Sequence, residues 1–179
     1  MVLDRAHGNK NDVLKMATWL LAWNAGKWEW HEYDEFCEKA SKENPVGFRW
    51  SCNSTKVKIG DEFYLTKVGD LPRGIFAHGT ITKGIFEDEQ WDKDRAGEMT
   101  NYIEVASDRM LNYKTQDILD VSILDERCAQ QWWHPMKSGI QINDEVLPKL
   151  EELWAEVTGD SFRKSSIKFK KKKMMMMME

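Results

Sequence analysis

Residues 49–83 read RWSCNSTKVKIGDEFYLTKVGDLPRGIFAHGTITK, and the fold follows from this stretch. Gly60-Asp61 turns the chain into Glu62–Lys67, where Phe63 and Leu65 share one face. Gly69 to Pro72 connect to Arg73–Thr82. There Ile75, Ala77, Gly79 and Ile81 alternate with Phe76, His78, Thr80 and Thr82. Period two predicts two adjacent half-buried strands. Gly74 and Gly79 inside the pattern predict a tight bend, or a place where another group meets the backbone. A small curled barrel needs such bends. Arg49-Trp50-Ser51 is different in kind: an aromatic plate between a guanidinium and a hydroxyl, ahead of a polar loop.

Outward from this centre, Ala17–Trp23 (ATWLLAW) predicts a central apolar strand, broken by Asn24-Ala25-Gly26. His31–Glu43 predicts a helix, because Tyr33, Phe36, Cys37 and Ala40 fall at i, i+3, i+4 and i+7. Gly84–Thr100 is polar and reads as a long surface loop, whose acids Glu87, Asp88 and Glu89 are solvated. Asn101–Ala106 predicts a strand, with Ser107–Leu111 continuing it past a bend. Ile118–Leu124 suggests a turn of helix, and Trp132-Trp133 lie in an irregular segment. Ser138–Ile142 predicts a short strand, and Asn143–Leu147 a separate turn. Pro148–Thr158 predicts the last helix, with Leu150, Leu153, Trp154 and Val157 on one face. Strands flanked by helices define an α+β class with the sheet curled into a small barrel. Residues 1–16 read as a polar lead-in, 17–158 as one domain, and 159–179 as a low-complexity basic tail.

The 179 residues suffice for one domain with a proper core. Their charge is unevenly spread. Net charge is −4, but seven basic residues and one acidic residue lie in 161–179. The remainder holds 19 basic against 29 acidic residues, which argues against binding nucleic acid by bulk electrostatics. The central stretch is the exception: Arg49, Lys56, Lys58, Lys67, Arg73 and Lys83 outnumber Asp61, Glu62 and Asp70 by three. The cysteines Cys37, Cys52 and Cys128 are three in number and far apart, with no CxxC pair. That pattern predicts neither a disulfide framework nor a metal site, and a reducing, cytoplasmic setting. No apolar run reaches the roughly 20 residues of a membrane span, and no cofactor motif is present.

Nine tryptophans are more than a core absorbs easily, because each indole carries an N–H that needs a partner. Trp23, Trp28, Trp30 and Trp50 cluster near one strand end and one loop, and predict an aromatic cage for a flat base, with Trp50 partly exposed. Asn24 and Ser51 are placed to read a base edge. Arg73-Gly74 at a strand start suits a phosphate, with Arg49, Lys56 and Lys58 as further backbone-binding candidates. His7, His31, His78 and His134 fall into no nucleophile or metal spacing, so no catalytic residue is assigned.

Taken together, TWLLAWNAGKWEW, RWSCNS, GDEFYLTKVGDLPRGIFAHGTI, YIEVASDRML, QQWW…SGIQI and LEELW resemble, in order, the EVE-like domain of the PUA-like superfamily. The resemblance covers about Ala17–Val157 and is nearest to the modules at the N-terminus of HNH-type, modification-dependent endonucleases. It implies a five-stranded curled β-barrel with flanking helices that takes an extruded, 5-methylcytosine-like base into an aromatic pocket, in defence or restriction. DNA is favoured over RNA. The positions carried over are Trp23, Asn24, Trp28, Trp30, Trp50, Ser51, Arg73 and Gly74. Ala25 stands where relatives often have proline, and Cys52-Asn53 where glycine is common. No HNH-like segment follows, so the resemblance implies a binding module without cutting activity, with a separate nuclease as a conceivable partner. Two other classes stay open: a protein-interaction or accessory module, and an enzyme acting on a nucleotide in the same pocket.

Overall fold

The computed structural model describes residues 16–90, 95 and 97–159. Most of the polar lead-in, nearly all of the basic tail and Trp91 lie outside the described residues. The first strand, β1 (Thr18–Asn24), is buried along most of its length. It runs parallel to β3 (Glu62–Val68), with Thr18 opposite Glu62 and Asn24 opposite Val68. Parallel neighbours need a long crossover. It is supplied by helix α1 (Tyr33–Lys39) and strand β2 (Val46–Ser51). Strand β3 pairs antiparallel with β4 (Gly74–Glu89), and β4 with β5 (Met99–Met110). Two-residue strands β6 (Leu119–Asp120) and β7 (Ile140–Gln141) pair with β4 and β1. The resulting order is β2-β5-β4-β3-β1-β7, with β6 beside β4. Helices α2 (Val121–Arg127) and α3 (Leu147–Thr158) complete an α+β arrangement built on five long strands.

The ladder itself does not close, since β2 and β7 end the sheet path. Side chains and loop backbone join its ends instead. The Trp50 indole N–H of β2 donates to the Ala22 carbonyl of β1 at 3.1 Å. Asn53 N–H donates to the Ser138 carbonyl at 2.7 Å, and Ala22 N–H donates to Ser138 Oγ at 3.1 Å. Gly139 completes this seam at φ +100°, where a Cβ would sit 2.6 Å from Cys52 Sγ and 2.8 Å from Asn53 N.

Both strand glycines of the central stretch mark close approaches. A Cβ on Gly79 would lie 2.1 Å from the Ala106 carbonyl oxygen, and one on Gly74 2.0 Å from that of Leu119. The β4–β5 register shifts between His78 and Gly79, as a bend there requires.

The core joins Leu20 and Leu21 of β1, Phe63 and Leu65 of β3, and Ile75 and Phe76 of β4. Helix α1 docks through Tyr33, whose hydroxyl donates to the Leu111 carbonyl at 2.5 Å and accepts from Tyr113 N–H at 3.0 Å. Asp120 caps α2 by accepting from Ser122 N–H. Helix α3 buries Leu150, Leu153 and Trp154, and ends on Gly159 in the left-handed region at φ +69°.

The structure corrects three expectations of the sequence. Residues 84–100 are not a loop throughout: β4 continues to Glu89 and β5 starts at Met99, pairing Phe86 with Tyr102 and Asp88 with Thr100. Much of this ribbon is open to solvent. Backbone pairing can hold such a ribbon without apolar alternation to announce it. Val46–Ser51 is a strand, and Val46, Phe48 and Trp50 are its more buried face. Helix α1 spans Tyr33–Lys39 only, ending before Ser41, whose hydroxyl accepts from Asn44 N–H in the following turn.

Candidate nucleic-acid pocket

Strands β1 and β2 bring their C-terminal ends together, and the turn after β1 folds over them. Lys27 and Trp28 N–H groups both donate to the Asn24 carbonyl at 3.0 Å, closing that turn. Trp23 Nε1 then donates to the Trp28 carbonyl at 3.0 Å. With the Trp50–Ala22 bond, this fixes the indoles of Trp23 and Trp50 against backbone. A cavity of about 460 Å³ opens here, lined by Trp23, Asn24, Trp28, Trp50 and Ser51 together with Lys27, Arg49, Arg95 and Tyr102.

The four predicted cage tryptophans do form one cluster. Trp28 and Trp50 have ring centroids 4.9 Å apart, Trp30 and Trp50 4.6 Å, and Trp23 and Trp30 5.4 Å. Their exposure differs. Trp50 is 3% exposed, Trp23 4% and Trp30 7%, so Trp50 is a buried wall and not the partly exposed plate expected. Trp30 does not line the cavity. It lies behind Trp28, nearly parallel to it at 15°. Trp28 is the half-buried member, and the indole face available to a ligand is chiefly its own.

The polar groups divide into spent and unspent. Asn24 Oδ1 accepts from Gly26 N–H at 3.1 Å. Its Nδ2 amide and the Ser51 hydroxyl make no hydrogen bond among the described residues. The Arg49 guanidinium lies over the Tyr102 ring, 4.2 Å from its centroid, and pairs with Asp88. The Glu89 backbone N–H, and then Arg49, hold the Asp88 carboxyl below its ordinary pKa. Arg95 pairs with Glu98 at 3.4 Å. Neither acid lines the cavity, and no carboxylate does so among the described residues. Three cations and an indole therefore face one space in an acidic chain.

Other backbone-binding candidates lie elsewhere. Arg73 is exposed and its Nε donates to the Gly69 carbonyl, beside Trp133 and His134 in a separate shallow depression. Gly74 is buried in the ladder opposite Asp120. Lys56 and Lys58 sit in the turns before β3, where Lys58 N–H donates to buried Asp61 at 2.9 Å. None of the four lines the cavity. Lys27, Arg95 and Tyr102 are the lining residues that sequence reasoning missed. Lys27 was legible, since it sits between Asn24 and Trp28 in the same turn. Arg95 had no signal, because the ribbon that brings it here has no apolar period.

No protein-family model matches this chain, and no curated protein matches it by sequence. Solved structures do resemble it. A hypothetical protein from Leishmania major superposes with a TM-score of 0.53 at 11% identity, covering 79% of this chain and 96% of that one. A protein from Pseudomonas syringae gives 0.53 at 13% identity, covering 76% and 99%. The likeness is one of fold. Human THYN1, in complex with DNA containing 5-methylcytosine, gives 0.47 at 12% identity, covering 76% and 96%. Among the described residues, no helix is long and apolar enough to cross a membrane.

Proposed function

We propose that the pocket receives a single base drawn out of nucleic acid, with DNA favoured over RNA and a 5-methylcytosine-like base as its class. The observation that carries this is the lining: a half-exposed indole and three cations, without a carboxylate among the described residues, in a chain whose net charge is negative. A ligand matching it is flat, aromatic and attached to negative charge, which describes a nucleotide. The modified base is the finer choice and rests on the family resemblance.

Extruding a base costs a few kcal/mol. Stacking on Trp28 returns about 1–3 kcal/mol, and Lys27, Arg49 and Arg95 supply contacts to the flanking phosphates. The Asn24 amide can donate to a base carbonyl, and the Ser51 hydroxyl can donate or accept. An added methyl group would rest against the indole wall formed by Trp23 and Trp50. We read the module as one that binds without turnover, since the lining offers no imidazole, thiol or carboxylate among the described residues to move a proton.

The test is anisotropy titration of the full chain with duplex and single-stranded DNA and RNA, each carrying one cytosine, 5-methylcytosine or 5-hydroxymethylcytosine. Tighter binding to a modified DNA, lost on Trp28→Ala, is the expected result. Equal affinity for all oligonucleotides, unchanged by Trp28→Ala, sinks the proposal.

A further inference from the structure

A second cavity, of about 400 Å³, shares no lining residue with the first. Glu62, Tyr64, His78, Asp108, Glu151 and Trp154 surround it, drawn from β3, β4, β5 and α3. Tyr64 is 2% exposed, yet its hydroxyl makes no hydrogen bond among the described residues. No fully buried side-chain nitrogen or oxygen lacks a partner among the described residues, so this hydroxyl is the part of Tyr64 left open to the cavity. Burial, then the charges of Glu62, Glu151 and Asp108, hold this phenol above its ordinary pKa. It is therefore a protonated hydroxyl surrounded by carboxylates.

His78 lines the same space. Its Nδ1 lies 2.9 and 3.1 Å from the two Asp108 carboxylate oxygens. A carboxylate accepts, so Nδ1 carries the hydrogen and Asp108 fixes the ring's orientation. Nε2 is 3.9 Å from Glu62 Oε1, too far for a hydrogen bond. The Tyr64 ring packs on His78 at 4.8 Å and meets Trp154 edge-on at 5.9 Å. Two cations, Lys42 and Arg109, also line the cavity, and the Arg109 guanidinium is engaged by the Thr158 carbonyl at 3.0 Å. Three carboxylates thus face two lysine and arginine cations around this open hydroxyl, with an aromatic wall beside them.

We propose that this cavity binds an organic cation, an alkylammonium or guanidinium group, through the Tyr64 hydroxyl and the Glu62 and Glu151 carboxylates, with its alkyl stem against Trp154. Such a group has several N–H donors for converging acceptors, and aromatic faces favour it further. The chemistry is shared by free polyamines and by lysine or arginine side chains of a partner polypeptide.

Calorimetry on the full chain without nucleic acid separates these sources and tests the site independently of the base-binding proposal. The probes are spermidine, the capped peptides Gly-Lys-Gly and Gly-Arg-Gly, and the acetyl-lysine peptide as the uncharged control. Saturable binding of a cationic probe, absent for acetyl-lysine, is expected. Tyr64→Phe, which keeps the ring, should weaken it about tenfold, and Glu151→Gln on the exposed side of α3 by a similar factor. Tighter spermidine binding assigns a free polyamine, and tighter peptide binding a basic side chain. No saturable binding of any cationic probe at physiological salt, or binding indifferent to both substitutions, overturns the proposal. Glu151→Gln lies at the surface, so its result stands even if Tyr64→Phe perturbs folding.

Discussion

The indole N–H of Trp50 donates to the carbonyl of Ala22 across the gap between β2 and β1, two strands that share no ladder. One side chain thus performs part of the closure that backbone pairing leaves undone. It also forms a wall of the base-sized cavity. Stability and pocket shape are coupled through this residue. Trp50→Ala should cost about 3–5 kcal/mol, as for other buried aromatic truncations. Trp50→Phe keeps a ring and loses the bond, for about 1 kcal/mol beyond its repacking. Urea unfolding of both variants measures this, and an unfolding midpoint for Trp50→Ala close to that of the parent chain would remove Trp50 from the seam.

Trp28 separates binding from stability. It is half-buried and stacks on Trp30 from outside the core. Trp28→Ala should weaken binding of the preferred modified oligonucleotide by about 1–3 kcal/mol, roughly 5- to 150-fold. Its effect on unfolding should be well below that of Trp50→Ala. Paired titration and melting of the same variant decide it. A large stability loss with unchanged affinity would make Trp28 a core residue only.

How far the sequence reached can be followed on these same residues. Alternation over Ile75–Thr82 and the apolar run Trp19–Trp23 are local consequences of burial, so β1, β3 and much of β4 were legible. Gly74 and Gly79 were legible as close approaches because glycine weakens a strand interior unless a bend or a neighbouring backbone requires it. The gathering of Trp23, Trp28 and Trp50 followed from their nearness to one strand end and one loop. What failed was exposure. Whether an indole is wall or plate depends on which strands meet behind it, and the β1–β2 seam is a contact between distant segments. Val46, Phe48 and Trp50 did carry a period-two signal, short and interrupted by the exposed Gly47 and Arg49. Where Arg73 lies relative to the pocket was not legible, because it depends on the loop whose Gly69 carbonyl engages its guanidinium.

Gly139 tests the seam from the other side. Its φ of +100° lies where side chains are strained, and a Cβ there would press on Cys52 Sγ and Asn53 N at 2.6 and 2.8 Å. Gly139→Ala should push residues 52–53 away from 138–139 and lengthen the Asn53–Ser138 bond. A loss of at least ~2 kcal/mol is expected from strain and overpacking together. Hydrogen exchange at the Asn53 amide should quicken more than at Ile75 in the core. Exchange unchanged at Asn53 would show that the seam tolerates a methyl group and does not depend on this approach.

Arg49 and Arg73 give opposite expectations, although both are exposed arginines of the central stretch. Arg49 lines the cavity, lies over Tyr102 and is held by Asp88. Arg73 is turned to the Gly69 carbonyl outside it. If Arg49 contacts a phosphate, Arg49→Ala should weaken modified and unmodified oligonucleotides by similar factors. The slope of log affinity against log salt should then flatten by about one. Arg73→Ala should leave affinity within about twofold, the range of a surface change away from the site. Asp88→Asn is the sharpest arm. Asp88 competes with phosphate for the Arg49 guanidinium, so removing its charge should tighten binding of every oligonucleotide while leaving base preference unchanged. An Asp88→Asn variant that binds more weakly would mean that Asp88 positions Arg49 for the ligand rather than competing with it. A loss on Arg49→Ala confined to the modified oligonucleotide would move Arg49 from phosphate contact to base reading.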